Sequence, residues 1–273
     1  MKQSEKERQE NSKFDILQKH QILPLSSKIN NNYELEIGNC SIEDLAKKYG
    51  TPLYVIDEET IKTKCNDYLS SLKQFSSNIL VTYAAKAFTC KRLFQIINSL
   101  GLGLDVVSGG ELYTALKSNF NTENIYFHGN NKSKSEIEMA IENNIGAIIC
   151  DNFYELELII NTAKSKNKLQ PIFIRLTPGI ECHTHEYIKT GHLDSKFGFD
   201  PEHLNEALSI INKNKQYLAL KGLHAHIGSQ IFELKPYEDT IDFLLEKIDY
   251  IKKCPFKNVH FLTWGIQTIA GKG

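Results

Sequence analysis

Residues 147–163 read Ala147-Ile148-Ile149-Cys150-Asp151-Asn152-Phe153-Tyr154-Glu155-Leu156-Glu157-Leu158-Ile159-Ile160-Asn161-Thr162-Ala163. The apolar run 147–150 has the length of a buried strand, and 153–163 has the length and apolar content of a helix. The polar step at Asp151 divides the two. The same unit recurs on both sides. Toward the N-terminus, strands are expected at 125–128, 104–107 and 79–85, followed by helices at 134–143, 110–117 and 91–99 respectively. Toward the C-terminus come strands at 172–177, 218–227 and 259–263. Helices fall between them at 201–211, where Pro201 follows Asp200 and suits the first helical position, and at 237–252. Strands that alternate with helices imply a parallel sheet covered by helices. Seven such strands predict an α/β protein with a β/α (TIM-like) barrel, which needs one more strand to reach eight.

The remainder is organised around that repeat. Residues 1–32 are polar and read as an extension. Tyr33-Glu34-Leu35-Glu36-Ile37 alternates apolar and polar residues with the period of a half-buried strand. Ser41 and Asp44 form a capping-box pattern for a short helix that Gly50 and Pro52 close. The expected organisation is therefore an extension at 1–32, a strand and helix at 33–50, a barrel over 51–262 and a divergent tail at 263–273.

Composition narrows the class. The 273 residues are 41% apolar and 24% charged, with a net charge of -1. No overall basic field therefore draws the chain to nucleic acid or an anionic membrane. The cysteines, at positions 40, 65, 90, 150, 182 and 254, contain no C-x-x-C pair and read as reduced thiols of a cytosolic protein. Residues 1–20 lack the apolar core of a signal peptide, and no apolar run approaches the roughly 20 residues of a membrane helix.

In a β/α barrel the chemistry gathers at the C-terminal ends of the strands. Lys86, Asp105, Ser108, 128–131, Asp151, Arg175 and 224–230 all fall there. Lys86 ends an otherwise apolar strand. It either extends its amine to solvent or offers it to an aldehyde cofactor, since desolvation favours a neutral amine. His224 and His226 share one strand face. They could bind a metal, stack on an aromatic cofactor, or simply form hydrogen bonds at the rim. Gly228 would let a phosphate approach the backbone, and Ser229 could donate to it. Asp105 and Arg175 could contact a cofactor or form buried ion pairs. Ser108-Gly109-Gly110-Glu111 resembles a turn into a helix N-terminus, where anions can bind. His183-Thr184-His185 reads as polar surface.

Taken together, six segments resemble diaminopimelate decarboxylases. They are residues 83–87 (Tyr-Ala-Ala-Lys-Ala), 105–112 (Asp-Val-Val-Ser-Gly-Gly-Glu-Leu) and 128–132 (His-Gly-Asn-Asn-Lys), then 175–179 (Arg-Leu-Thr-Pro-Gly) with 183–185, then 195–198 (Ser-Lys-Phe-Gly), and 224–230 (His-Ala-His-Ile-Gly-Ser-Gln). They stand in the family's order over residues 33–262. The resemblance implies a pyridoxal 5'-phosphate-dependent decarboxylase acting on meso-2,6-diaminopimelate to give L-lysine and CO2. It also implies an amino-acid substrate, a homodimer and a cytoplasmic location. Lys86 would carry the cofactor, His226 would stack on its ring and Ser229 would bind its phosphate. Asp105 and Arg175 would lie near it. No metal is implied.

After Leu262 the family's pattern would continue into a glycine-rich phosphate loop and a C-terminal β-domain. The sequence instead reads Thr263-Trp264-Gly265-Ile266-Gln267 and on to Gly273, which suggests a frameshift or truncated product. Two competing expectations remain: a metal-dependent barrel hydrolase built on His224 and His226, and a relative that binds cofactor or a partner chain without turnover.

Overall fold

The computed structural model describes residues 22–180, 197–229, 231, 233–256 and the backbone of 261–264. They divide into two compact units, with the boundary between Ile79 and Leu80.

In the first unit, β1 (Lys28–Ile29), β2 (Leu35–Ile37) and β3 (Cys40–Ser41) form an antiparallel sheet in the order β1-β2-β3. The strand expected at 33–37 is shorter because Tyr33 adopts a φ of +63°. That value lies outside extended space. Residues 28 and 29, inside the stretch read as a polar extension, pair with β2. Helix α1 (Ile42–Tyr49) begins at Ser41, whose hydroxyl accepts the Asp44 N–H at 3.4 Å, and ends at Gly50 with φ +80°. Both ends follow ordinary capping rules. Helix α2 (Glu58–Lys73) is not among the sequence expectations. Asp57 caps it by accepting the Thr60 N–H at 3.0 Å, and Leu69 is its one buried residue among those described.

The second unit is the repeat. In chain order it contains β4 (Thr82–Ala84), α3 (Lys91–Ser99), β5 (Gly103–Val106), α4 (Gly109–Lys117), β6 (Ile125–Phe127), α5 (Lys134–Glu142), β7 (Ala147–Cys150) and α6 (Phe153–Ser165). It continues with β8 (Gln170–Arg175), α7 (Leu204–Lys213), β9 (Leu218–Ala225), α8 (Lys235–Lys253) and β10 (Phe261–Trp264). All seven strands pair in parallel, in the unbroken order β10-β9-β8-β7-β6-β5-β4. Sequential parallel order with a helix at most crossovers is the winding of a β/α barrel. Strands β4 and β10 are its edges, and no pairing joins them among the described residues.

Each helix turns one apolar stripe inward. Leu93, Phe94, Ile96 and Ile97 of α3, Ile137, Ala140 and Ile141 of α5, and Leu156, Ile159 and Ala163 of α6 are buried. They meet Leu104, Val106, Ile125, Phe127 and Ile148 from the strands, all fully buried. Burying each large side chain contributes about 1.5–3 kcal/mol, so this layer holds the unit together. The opposite strand faces form an inner cluster of Ala147, Ile149 and Phe173, with Tyr126 packed on it. Tyr126 and Phe173 meet edge to face, centroids 5.9 Å apart, an arrangement that aromatic quadrupoles favour. No helix among the described residues is long and apolar enough to cross a membrane.

Candidate functional site at the C-terminal rim of the barrel

Strand parity places the site. Side chains two residues apart share a strand face, so one step beyond the inner apolar layer the same face carries polar groups. Tyr126 is followed by His128, Ile149 by Asp151 and Phe173 by Arg175. His224 on β9 is the register partner of Arg175. An apolar floor therefore supports a polar tier at the C-terminal ends of the strands, where barrel chemistry sits.

Within this tier His128 Nε2 lies 3.1 Å from Asp105 Oδ1, and both side chains are partly buried. The ring of His128 meets that of His224 edge to face, with centroids 4.7 Å apart and planes at 71°. His224 is fully enclosed. Burial first, and then the positive fields of His128, Arg175, His226 and Lys132, hold its pKa well below the ordinary 6.5. Its Nδ1 has no hydrogen-bond partner among the described residues.

The neutral state of His224 has a consequence for stability. Unfolded, the imidazole protonates below about 6.5, but folded it does so only at lower pH. Its contribution to stability is therefore complete above 6.5 and is lost as pH falls through the folded pKa. His224→Gln, which cannot titrate, is expected to make the Tm less sensitive to acid between about pH 5 and 6.5. Thermal scans across that range check this, and an unchanged slope would show that His224 is not the titrating group.

Arg175 donates from Nη1 to Asp151 Oδ1 at 3.2 Å. Its guanidinium lies 4.7 Å from the centroid of the Phe197 ring, within cation–π range. Burial lowers its pKa, and Asp151 works in the opposite direction. Asp151 Oδ2 also accepts the Gly198 N–H at 3.2 Å. Backbone bonds Phe199 N–H to Arg175 O (2.8 Å) and Thr177 N–H to Phe199 O (3.0 Å) fasten this returning segment to β8. Of the two options open for Arg175, the buried ion pair is formed.

Lys86 does not end a strand as expected. Strand β4 stops at Ala84, and Lys86 sits in the 3₁₀ turn Ala85–Ala87 with its side chain exposed. Its amine is therefore accessible, because no strand packing encloses it. Strand β4 pairs Ala84 with Asp105, so Lys86 follows closely on the position beside that carboxylate. His226 lies one residue beyond β9, half-buried. Gly228, with φ +134°, and half-buried Ser229 follow it. A side chain at position 228 would be strained.

The Ser108 turn is different from the expected anion site. Ser108 caps α4, accepting the Glu111 N–H at 3.3 Å. The Glu111 carboxylate takes the Val107 N–H at 2.7 Å, and Glu136 takes the Gly109 N–H at 2.6 Å. Glu136 of the chain thus takes the first N–H of the helix, and the Ser108 hydroxyl takes the third. His183 to His185, Ser195, Lys196 and Gln230 lie outside the described residues. Among the described residues no group of three His, Cys, Asp or Glu could hold a metal ion.

Sequence pattern assigns no role to one feature of the rim. Lys132 and Glu155 form an ion pair at 2.7 Å with side chains 1% and 3% exposed. The motif containing Lys132 is visible in the sequence, but its partner lies 23 positions away, and no local spacing connects them.

The rim suits an aromatic, phosphorylated aldehyde. It offers an amine at exposed Lys86, a ring at half-buried His226 and a hydroxyl at half-buried Ser229. Residues 58–265 match the family model described as "Pyridoxal-dependent decarboxylase, pyridoxal binding domain". The chain is 47% identical to the diaminopimelate decarboxylase of Synechocystis sp. over 234 residues, which are 82% of this chain and 50% of that protein. It is also 47% identical to that of Bacillus methanolicus over 222 residues, 81% of this chain and 50% of the relative. The crystal structure of diaminopimelate decarboxylase from M. jannaschii in complex with L-lysine superposes with a TM-score of 0.80 at 33% identity, covering 89% of this chain and 57% of that one. The chain thus spans about half the length of the curated relatives it matches.

Proposed function

The chain belongs to the pyridoxal-dependent decarboxylase family, and we propose that its rim holds pyridoxal phosphate on Lys86 and serves the decarboxylation of meso-2,6-diaminopimelate to L-lysine and CO2. What supports this reading is that Lys86, Asp105, Arg175, His226 and Ser229 all fall in or just beyond the C-terminal parts of β4, β5, β8 and β9, strands of one parallel sheet. Similarity to the diaminopimelate decarboxylases named above supports the substrate.

When bound, the cofactor supplies an electron sink for the carbon that loses CO2. The chain's own groups do the rest. Lys86 would hold the cofactor through its amine. His226 would stack on its ring. The Ser229 hydroxyl, beside Gly228, would receive its phosphate. The Asp105 carboxylate, held by His128, keeps one orientation beside the turn that carries Lys86. Arg175 contributes a positive field but keeps Asp151 as its partner. Holding the reacting bond in one orientation lowers the entropic part of the barrier. In keeping with the family reading, the chain would act as a homodimer in the cytoplasm.

The test uses the purified chain with pyridoxal phosphate. A visible absorption band that borohydride fixes, together with CO2 release from meso-diaminopimelate but not from ornithine or arginine, is expected. A band without CO2 release would favour a cofactor-binding relative without turnover. That second reading draws on the half-length match to the relatives. No band from folded protein would overturn the proposal.

A further inference from the structure

We infer that Lys132 and Glu155 are positioning residues: a buried clamp that fixes the 129–131 turn and thereby holds His128 against Asp105 and His224. The inference deepens the proposed function and rests on that reading of the rim.

The Lys132 ammonium uses three donors on three pieces of the fold. It donates to Gly129 O at 2.7 Å, Ile149 O at 2.8 Å and Glu155 Oε1 at 2.7 Å. These acceptors belong to the turn after β6, to strand β7 and to helix α6. An ammonium has three donors, so its hydrogen-bonding capacity is complete. It also lies 5.7 Å from the centroid of the Phe127 ring.

Helix α6 holds the turn a second time. Asn152 caps the helix by accepting the Glu155 N–H at 2.9 Å, and its amide donates to Asn130 O at 3.4 Å. Gly129 has φ +114°. Other residues rarely adopt that region, so the turn depends on its surroundings for one conformation. His128, immediately before this turn, is bonded to β5 through its own N–H to Val106 O, at 2.8 Å. The backbone on its other side is the turn that the clamp holds.

A buried ion pair is weak support for stability, because desolvating both charges offsets their attraction. Burial raises the Glu155 carboxyl to about 7, against the pull of Lys132, and Oε2 has no partner among the described residues. An apolar pair could occupy the same volume at less electrostatic cost. What such a pair could not do is bind two carbonyl oxygens from a turn and a strand together. The ion pair's distinctive contribution is geometric, and it lies next to the polar tier of the rim.

The test compares the full chain with Lys132→Met/Glu155→Leu, which leaves no unpaired charge. The first readout uses cofactor-free protein with labelled histidine: the magnetic contact between the His128 and His224 rings. The second is the rate at which Lys86 captures pyridoxal phosphate. The expected result is loss of the ring contact and capture slowed by on the order of ten- to a hundredfold; the Tm sets relief of the buried charges against two carbonyl oxygens left without their donor, so the ring contact is the deciding readout. A merely structural pair would move the Tm and leave the ring contact in place. Should the double variant not fold, Lys132→Met/Glu155→Gln carries the same expected loss. Persistence of the ring contact in either folded variant overturns the inference. If the unaltered chain takes up no cofactor, the functional reading fails alone, and the ring contact still decides the clamp.

Discussion

Lys86→Ala is expected to abolish borohydride-trapped pyridoxal phosphate while leaving thermal unfolding nearly unchanged. The two halves of this expectation have different physical origins. Lys86 is exposed in a short 3₁₀ turn. Surface substitutions of this kind shift stability by no more than about 0.5 kcal/mol. Its amine, however, is the accessible one at the end of β4, beside the carboxylate-bearing β5. Lys132 cannot replace it, because that ammonium is enclosed and donates to three acceptors. Mass spectrometry of reduced, digested protein should place the pyridoxyl group on the peptide containing Lys86. Equal labelling of Lys86→Ala would mean that the rim does not select this amine.

Asp151→Ala should produce the largest loss of stability among the rim substitutions. Asp151 is 2% exposed and holds both Arg175 Nη1 and the Gly198 N–H. Removing it leaves a buried guanidinium without its counter-charge, which costs about 3–5 kcal/mol. For a chain of this size that corresponds to a fall in Tm on the order of 10 °C. The double variant Asp151→Ala/Arg175→Leu removes the stranded charge and should recover much of the loss. Calorimetry on the two variants checks this. Equal destabilisation of the single and double variants would mean that the loss arises at Gly198 and not from the unpaired charge.

The repeat is legible in the sequence because its signal is strong. Short apolar runs bounded by polar steps identify strands that are buried on both faces, and 147–150 coincides with β7 from end to end. Helix α3 coincides with 91–99 because its apolar spacing gives it a clear inward stripe. The strands expected at 172–177 and 218–227 end two residues earlier, at Arg175 and Ala225. Leu176 still donates to His224 O on the neighbouring strand, and the chain stays apolar at Leu176 and Ile227, so pattern alone does not mark the strand ends. Helix α2 escapes a pattern reading for the opposite reason. Its residues are mostly polar, one of them is buried, and its start depends on the Asp57 cap more than on periodicity. At the helix N-terminus after Ser108, the bond from Gly109 N–H to Glu136 is invisible in the sequence because the two residues are 27 positions apart.

By itself, then, the sequence determined the alternating strands and helices, the apolar layers, and that Lys86, Asp105, Arg175, His226 and Ser229 fall in or just after the C-terminal parts of strands. All of these follow from local pattern and from the two-residue parity of strands. Tertiary structure alone decided which polar groups are partners. Arg175 is paired with Asp151, Asp105 is bonded to His128, and Lys132 reaches Glu155 across the gap between β6 and α6. Such pairings depend on distances of about 3 Å between residues some twenty positions apart, and no sequence spacing encodes them.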